Sequence, residues 1–151
     1  MNKKPLIYID TSVIGGLFDE EFQKESQALF GMANKGELTF LISDLILAEI
    51  EMAPKRIKDA LNSLPEESFH TCYANDETVA LRNEYLAAKV VGPSSEDDAH
   101  HVAIATIMRA DMMVSWNFRH IVHFEKIRGF NSVNICLGYG PIEIFSPKEV
   151  V

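Results

Sequence analysis

Short apolar runs that stop abruptly at polar residues constrain the fold of this chain more than any other feature. Residues 6–9 are apolar throughout and end at Asp10, and residues 38–42 form a similar run. Runs of this length are typical of strands buried on both faces, as in parallel sheets covered by helices. Residues 96–109 are apolar almost all round, as expected for a helix inside the core. The pattern predicts a single domain over residues 1–151, an α/β/α sandwich around a mostly parallel central sheet.

The remaining elements follow from periodicity and from capping and breaking residues. Amphipathic or capped segments predict helices, and short β-branched runs predict strands. Pro54 opens a further turn of helix after the helical segment that ends at residue 53. The predicted strands are 6–9, 38–42, 69–73 and 112–115, with 133–137 and 142–145 as possible edge strands. The predicted helices are 22–34, 44–53, 77–90, 96–109 and a short one over 118–125.

Composition narrows the functional classes. The 151 residues carry 14 basic and 22 acidic side chains, a net charge of −8, so the overall field does not attract nucleic acid. No apolar stretch is long enough for a membrane helix or a secretory leader, and a cytoplasmic protein is expected. Cys72 and Cys136 lie far apart without a C-x-x-C pattern, which predicts two buried thiols in a reducing compartment.

Two carboxylates stand out by their position. Asp10 directly follows the first strand, where ligands of parallel sheets bind. It could equally be the N-cap of the next helix. Glu49 has apolar neighbours three and four positions away on its helix, so it lies in the stripe that faces the core, unless it sits at the edge of that stripe.

Two further polar residues repeat this geometry. Asp98 opens the buried helix, although with Ser95 it also resembles a capping box. Asn117 follows the fourth strand, where it is either a ligand or an N-cap. Asp111 precedes that strand and is expected at the opposite end of the sheet.

Asp10, Glu49, Asp98 and Asn117 come from four elements that could converge at one edge of the sheet. Hard oxygen ligands without a His/Cys pattern suit Mg²⁺ or Mn²⁺ and not zinc. The two adjacent histidines, His100 and His101, lack metal-binding spacing and are expected to be ordinary surface or core histidines.

Four segments in order, "YIDTSVIGG", "LAEI", "DDAHHVAIAT" and "DMMVSWNFRHIV", resemble PIN-domain nucleases, especially VapC-like toxins of prokaryotic toxin–antitoxin pairs. The likeness runs from about residue 6 to residue 147. It implies divalent-metal-dependent RNA cleavage, a homodimer and a small antitoxin partner. Asp10, Glu49 and Asp98 match the acidic triad of the family, with Asp98 preferred to Asp97 because of its D-x-x-H spacing to His101.

The resemblance also implies a hydroxyl after the first aspartate, which Ser12 or Thr11 provides. Asn117 stands where many PIN domains have aspartate, which puts a second metal in doubt. Positive charge for RNA is concentrated after Asn117, and Trp116 could stack on a base or pack in the core. The basic side chains are Arg119, His120, His123, Lys126 and Arg128.

Two alternatives to a nuclease remain for this set of residues. A haloacid-dehalogenase-like phosphatase needs a second aspartate two residues after the first, and Ser12 occupies that position. A PIN fold without turnover, acting as an RNA-binding or protein-interaction module, is favoured by Asn117 and disfavoured by the intact Asp10, Glu49 and Asp98.

Overall fold

The protein is described by a computed structural model that covers residues 3–151, so residues 1 and 2 of the predicted domain lie outside the described part. Its centre is a sheet of five strands in the order β3-β2-β1-β4-β5, and every neighbouring pair is parallel. The strands are β1 (Leu6–Ile9), β2 (Thr39–Ser43), β3 (Phe69–Cys72), β4 (Met112–Val114) and β5 (Ile144–Phe145).

Helices connect successive strands and flank the sheet, which confirms the predicted α/β/α sandwich. They are α1 (Thr11–Gly16), α2 (Gln23–Asn34), α3 (Asp44–Ile50), α4 (Lys55–Asn62), α5 (Asp76–Ala87), α6 (Glu96–Ile107), α7 (Phe124–Cys136) and α8 (Pro147–Val150), with single 3₁₀ turns at Glu66–Ser68 and Pro93–Ser95. No helix in residues 3–151 is long and apolar enough to span a membrane.

The central strand and one helix form the middle of the core. Ile7, Tyr8 and Ile9 of β1 are completely buried, because helices cover both faces of the sheet. Helix α6 is buried along most of its length, from Ala99 to Thr106, as its all-round apolar sequence predicted. This places the first turn of α6 close to the sheet.

The chain between β4 and α7 corrects one expectation. The predicted helix over 118–125 does not form as a separate element: residues 118–122 are turns and a bend, and Phe124 and Glu125 begin α7. The backbone N–H groups of Ile121 and Val122 both bond back to the carbonyl of Asn117, at 3.1 and 2.8 Å. The turn therefore closes on one acceptor and does not propagate as a helix.

The predicted edge strand over 133–137 is wrong: these residues belong to the last turns of α7 and its C-cap. Phe130 and Asn134 are four positions apart and both completely buried, so helical spacing outweighs the local β-branched content. Gly138, at φ +86°, ends the helix. The segment predicted as a strand over 142–145 does form β5 at residues 144–145.

The cysteines differ from each other. Cys72 is buried at the end of β3, as expected, whereas Cys136 is exposed at the end of α7. Both are free thiols. The prediction of two buried thiols is wrong for Cys136, because the helical turn directs it away from the sheet.

Candidate active site

Asp10 lies at the carboxyl end of β1, between the ends of the neighbouring strands, and is only 4% exposed. It occupies the N-cap position of α1 but makes no side-chain cap bond. Its Oδ1 accepts from the Ser12 hydroxyl at 2.5 Å, and its Oδ2 accepts from the Ser115 hydroxyl at 2.6 Å. The carboxylate therefore links the ends of β1 and β4. Its side chain does not cap α1, so the N-cap alternative is not observed for the carboxylate.

The two serines are themselves held by the backbone. The Ser12 oxygen accepts from the backbone N–H of Trp116, and the Ser115 oxygen accepts from that of Asn117, both at 2.9 Å. Because these oxygens accept from the backbone, their own hydrogens are free to point at Asp10. Asp10 is thus fixed in orientation by two hydroxyl donors.

Glu49, on α3, is half-buried and faces the same edge of the sheet. Its Oε2 accepts from the Thr11 hydroxyl at 2.5 Å, and its Oε1 pairs with Nε2 of His101 at 2.7 Å. Burial alone would raise the pKa of Glu49, but the hydrogen bond and charge of His101, together with Thr11, hold the pKa below its ordinary value. Three helices, α1, α3 and α6, meet at this carboxylate.

Asp98 lies in the first turn of α6 and is partly buried, while its neighbour Asp97 is exposed. The alternative capping box is absent, because Ser95 makes no side-chain cap bond. Burial raises the pKa of Asp98 and the negative charge of Asp10 adds to the rise, although His120 and His101 oppose it. Asp98 therefore lies within electrostatic reach of Asp10.

The negative charge of Glu49 acts on Asp10, and that of Asp10 acts on Asp98. Burial raises its pKa most, and the charge of Glu49 raises it further, against lowering contributions from His101 and the two serines. A buried carboxylate whose charged form is disfavoured gains stability from a nearby cation. The electrostatics of the three groups therefore favour a positive ligand at this edge.

Asn117 uses its side chain locally. Its Oδ1 accepts from the backbone N–H groups of Arg119 and His120, at 3.2 and 2.9 Å, as an N-cap oxygen would. Hydrogen bonding by the Asn117 side chain also lowers the pKa of Asp98. The predicted ligand oxygen of Asn117 is thus already bonded to two backbone N–H groups, which is the N-cap alternative.

The donor set suits a hard dication, with three carboxylates, several hydroxyls and an amide. Within residues 3–151, however, no three His, Cys, Asp or Glu side chains form a preformed metal-binding group. The oxygens of Asp10 and Glu49 are satisfied by protein donors instead. The chemistry fits Mg²⁺ or Mn²⁺, because each of these oxygens keeps a further lone pair for an ion while it accepts its hydrogen bond.

His101 is the residue that sequence reasoning undervalued. It is 2% exposed and bonds both Glu49 and Tyr8, whose hydroxyl is 2.6 Å from its Nδ1. The D-x-x-H spacing could have identified His101, because residues three positions apart lie on the same face of a helix and His101 therefore shares a face with Asp98. Its partner Glu49 is 52 positions away, which periodicity cannot identify. His100 does behave as expected of a satisfied core histidine, bonded to Thr78.

Trp116 does not provide a base-stacking surface. It is 5% exposed, its ring stacks on Phe22 at 4.2 Å, and its Nε1 donates to the Ser26 hydroxyl at 2.8 Å. The core-packing alternative is therefore correct. The exposed aromatic residues here are Phe118, which precedes the basic segment, and Phe124, which lies within it, at 45% and 70%.

The basic residues after Asn117 are accessible. Arg119, His123 and Arg128 are exposed, and the other two are partly exposed. His120 is near enough to Asp98 to lower its pKa.

At the far end of the sheet, Asp111 accepts from the backbone N–H of Leu6 at 2.7 Å, as its position before β4 predicted.

Comparison with known proteins agrees with this fold. No curated protein matches the sequence. A solved structure, VapBC2 from Rickettsia felis bound to a DNA fragment from their promoter, is similar in fold at 14% identity, with a TM-score of 0.58 over 93% of this chain and 98% of that chain. The PIN domain family matches residues 7–119, which is three quarters of the sequence. The chain belongs to the PIN-domain family.

Proposed function

We propose that this protein is a divalent-metal-dependent endoribonuclease that hydrolyses RNA phosphodiester bonds, and that it is the toxin of a toxin–antitoxin pair. One observation carries the proposal: the buried carboxylate of Asp10 lies at the carboxyl end of the central strand, and Glu49 is hydrogen-bonded to Thr11, the next residue along the chain. Membership of the PIN-domain family and the fold likeness to VapBC2 support it.

Asp10, Glu49 and Asp98 would hold one Mg²⁺ or Mn²⁺, directly or through water, and Asn117 would support a second ion if one binds. Bound at this edge, the ion would lower the pKa of a water molecule and stabilise charge on the scissile phosphate. Ser12 and Ser115 keep Asp10 oriented. Asp98, unprotonated, would orient the attacking water, so that cleavage leaves a 5′-phosphate and a 3′-hydroxyl.

RNA must approach a chain with a net charge of −8. The exposed Arg119 and its basic neighbours offer a local positive surface beside the carboxylates, and single-stranded RNA also stacks on exposed aromatic rings. We assign Arg119 and Ser12 as substrate contacts. The Ser12 hydroxyl donates to Asp10 and its oxygen accepts from the backbone N–H of Trp116, so a contact with RNA would use the remaining lone pair of that oxygen.

Two protein partners belong to the proposal. A small antitoxin that covers the acidic edge would keep the nuclease inactive, and the likeness to VapBC2 supports such a pairing. A homodimer is the expected assembly. Co-expression with the product of an adjacent reading frame tests the first, and light scattering of the purified chain tests the second.

The nuclease test compares matched variants on structured RNA with Mn²⁺. The wild type should cleave, and Asp10→Asn combined with Asp98→Asn should not. Asp97→Asn is the matched control, because Asp97 adjoins Asp98 on α6 but is exposed. Equal cleavage by the wild type and the double variant would contradict the site.

A non-catalytic PIN module is the second candidate. It is favoured by the absence, within residues 3–151, of a preformed metal-binding group and by Asn117 in place of a carboxylate. Binding of RNA without cleavage of any member of a broad RNA panel, at saturating Mn²⁺, would establish this alternative.

A further inference from the structure

A continuous run of hydrogen bonds connects the core to Glu49. The Tyr8 hydroxyl lies 2.8 Å from the Ser43 oxygen and 2.6 Å from Nδ1 of His101. The other ring nitrogen, Nε2, lies 2.7 Å from Oε1 of Glu49. Tyr8 and Ser43 are completely buried and His101 is 2% exposed, so water does not compete for the bonds among these three residues. We call these four residues the Tyr8–His101 relay.

The chemistry of the partners assigns a direction to each bond. An ionised Glu49 carboxylate can only accept, so Nε2 of His101 carries a hydrogen. In the neutral ring Nδ1 then accepts from the Tyr8 hydroxyl, and the Tyr8 oxygen accepts from Ser43. In the protonated ring Nδ1 donates to the Tyr8 oxygen instead, and Nε2 donates to Glu49 in either state. This assignment uses every group once, and no buried side-chain nitrogen or oxygen in residues 3–151 lacks a partner.

The relay fixes one half of the Glu49 carboxylate, and Thr11 fixes the other. The Thr11 hydroxyl donates to Oε2 at 2.5 Å while His101 holds Oε1, so the carboxylate cannot rotate without breaking one of the two bonds. His101 lies one helical turn after Asp98 on α6. Helix α6 therefore supplies one carboxylate of the site and the group that orients another.

We infer that His101 is a positioning residue for the proposed metal site, and that it acts by donating from Nε2 to hold Glu49 at the carboxyl edge of the sheet. The inference rests on the proposed function. Partners that orient the ligands of a metal site contribute about 10–100-fold to metal affinity. His101 therefore influences metal binding without being a ligand.

His100 provides a matched control on the same helix. It is 6% exposed and bonds the Thr78 hydroxyl of α5 at 3.0 Å, with no bond to a carboxylate of the site. A general effect of removing a buried histidine from α6 would appear equally in His100→Leu and His101→Leu. A positioning effect would appear in the second variant alone.

The test is calorimetric titration of Mn²⁺ into the metal-free full chain, with thermal melting of each variant. His101→Leu should weaken Mn²⁺ binding by about 10–100-fold. His101→Gln should restore most of the affinity, because its amide nitrogen can donate from the position of Nε2, and His100→Leu should bind as the wild type does. Wild-type affinity in a folded His101→Leu would overturn the inference and leave the nuclease proposal intact.

A second variant and a second measurement guard against misfolding of His101→Leu. Tyr8→Phe removes only the hydroxyl and should weaken Mn²⁺ binding several-fold, whereas unchanged affinity would overturn the inference. In the metal-free wild type, nitrogen NMR should show a hydrogen on Nε2 of His101, and an Nε2 without hydrogen would also overturn it. A wild type that binds no Mn²⁺ would instead refute the proposed function itself, and the inference with it.

Discussion

Adjacent glycines at the end of α1 should respond in opposite ways to the same substitution. A Cβ on Gly16 would lie 2.5 Å from the Ser26 oxygen and 2.8 Å from Nε1 of Trp116, whereas a Cβ on Gly15 would meet nothing within 4 Å. The first two atoms are themselves hydrogen-bonded at 2.8 Å. Gly16→Ala must therefore displace the indole or the serine, and Gly15→Ala displaces nothing.

The magnitudes follow from these contacts. Replacing glycine by alanine in a helix stabilises by about 0.5–1 kcal/mol, and both variants share this gain. Gly16→Ala adds an overpacking cost of about 1–3 kcal/mol. It also adds about 1 kcal/mol for the weakened hydrogen bond between Trp116 and Ser26. The two variants should therefore differ by about 2–4 kcal/mol, or roughly 5–15 °C in Tm for a chain of this size.

Thermal melting with tryptophan fluorescence is the assay, since Trp116 is the only tryptophan of the chain. Gly15→Ala should melt at or above the wild-type temperature with unchanged emission. Gly16→Ala should melt lower, with emission shifted to the red as the indole moves towards solvent. Equal melting temperatures and equal emission in the two variants would refute the packing argument.

Three further predictions concern charge at the site. Saturating Mn²⁺ at 100 times its Kd should stabilise the wild type by about 2.7 kcal/mol, or roughly 5–11 °C in Tm, and Asp10→Asn should lose this shift; an unchanged shift would exclude Asp10 as a ligand. In metal-free protein the raised pKa values of Asp10 and Asp98 mean that the folded state binds protons more tightly than the unfolded state does. The free energy of unfolding, measured with urea, should therefore fall as pH rises from the ordinary carboxylate pKa through these raised values. Glu49 acts oppositely: its lowered pKa gives a contribution that is present above its unfolded pKa and lost as pH falls through the folded value, and Glu49→Gln should remove that acid-side loss; a pH profile unchanged by Glu49→Gln and by Asp10→Asn would contradict both assignments. Arg119→Ala should raise KM for RNA several-fold at constant kcat and reduce the salt slope of binding by about 0.7, as expected for one phosphate contact with a single strand; a fall in kcat alone would argue against that role.

The sequence was informative where a signal is local. The run over residues 6–9 predicted β1, and the position of Asp10 directly after it predicted a carboxylate at the edge of the sheet. A strand buried on both faces can be predicted without knowing which strands pair with it, because its own residues are apolar throughout. The same reasoning predicted the buried α6 from its all-round apolar surface.

The sequence was misleading where a distant contact decides the outcome. Residues 133–137 have the composition of a strand, but they form the end of helix α7 and its C-cap. There the completely buried Asn134 accepts a hydrogen bond from Tyr85, which is 49 positions away in the sequence. Trp116 could be assigned to the core only once Phe22 and Ser26 were found against it. His101 likewise gains its importance from Glu49 and Tyr8, on other elements.

The central claim concerns Asp10, Glu49 and Asp98 and is tested most directly by anomalous diffraction from a crystal soaked in Mn²⁺. The account predicts a single strong peak at the carboxyl end of β1, bonded to or bridged by water to oxygens of these three side chains. Direct bonds should be about 2.0–2.2 Å, near the octahedral values of a small hard dication. Absence of a peak at saturating Mn²⁺, or a peak bound elsewhere on the chain, would contradict the account.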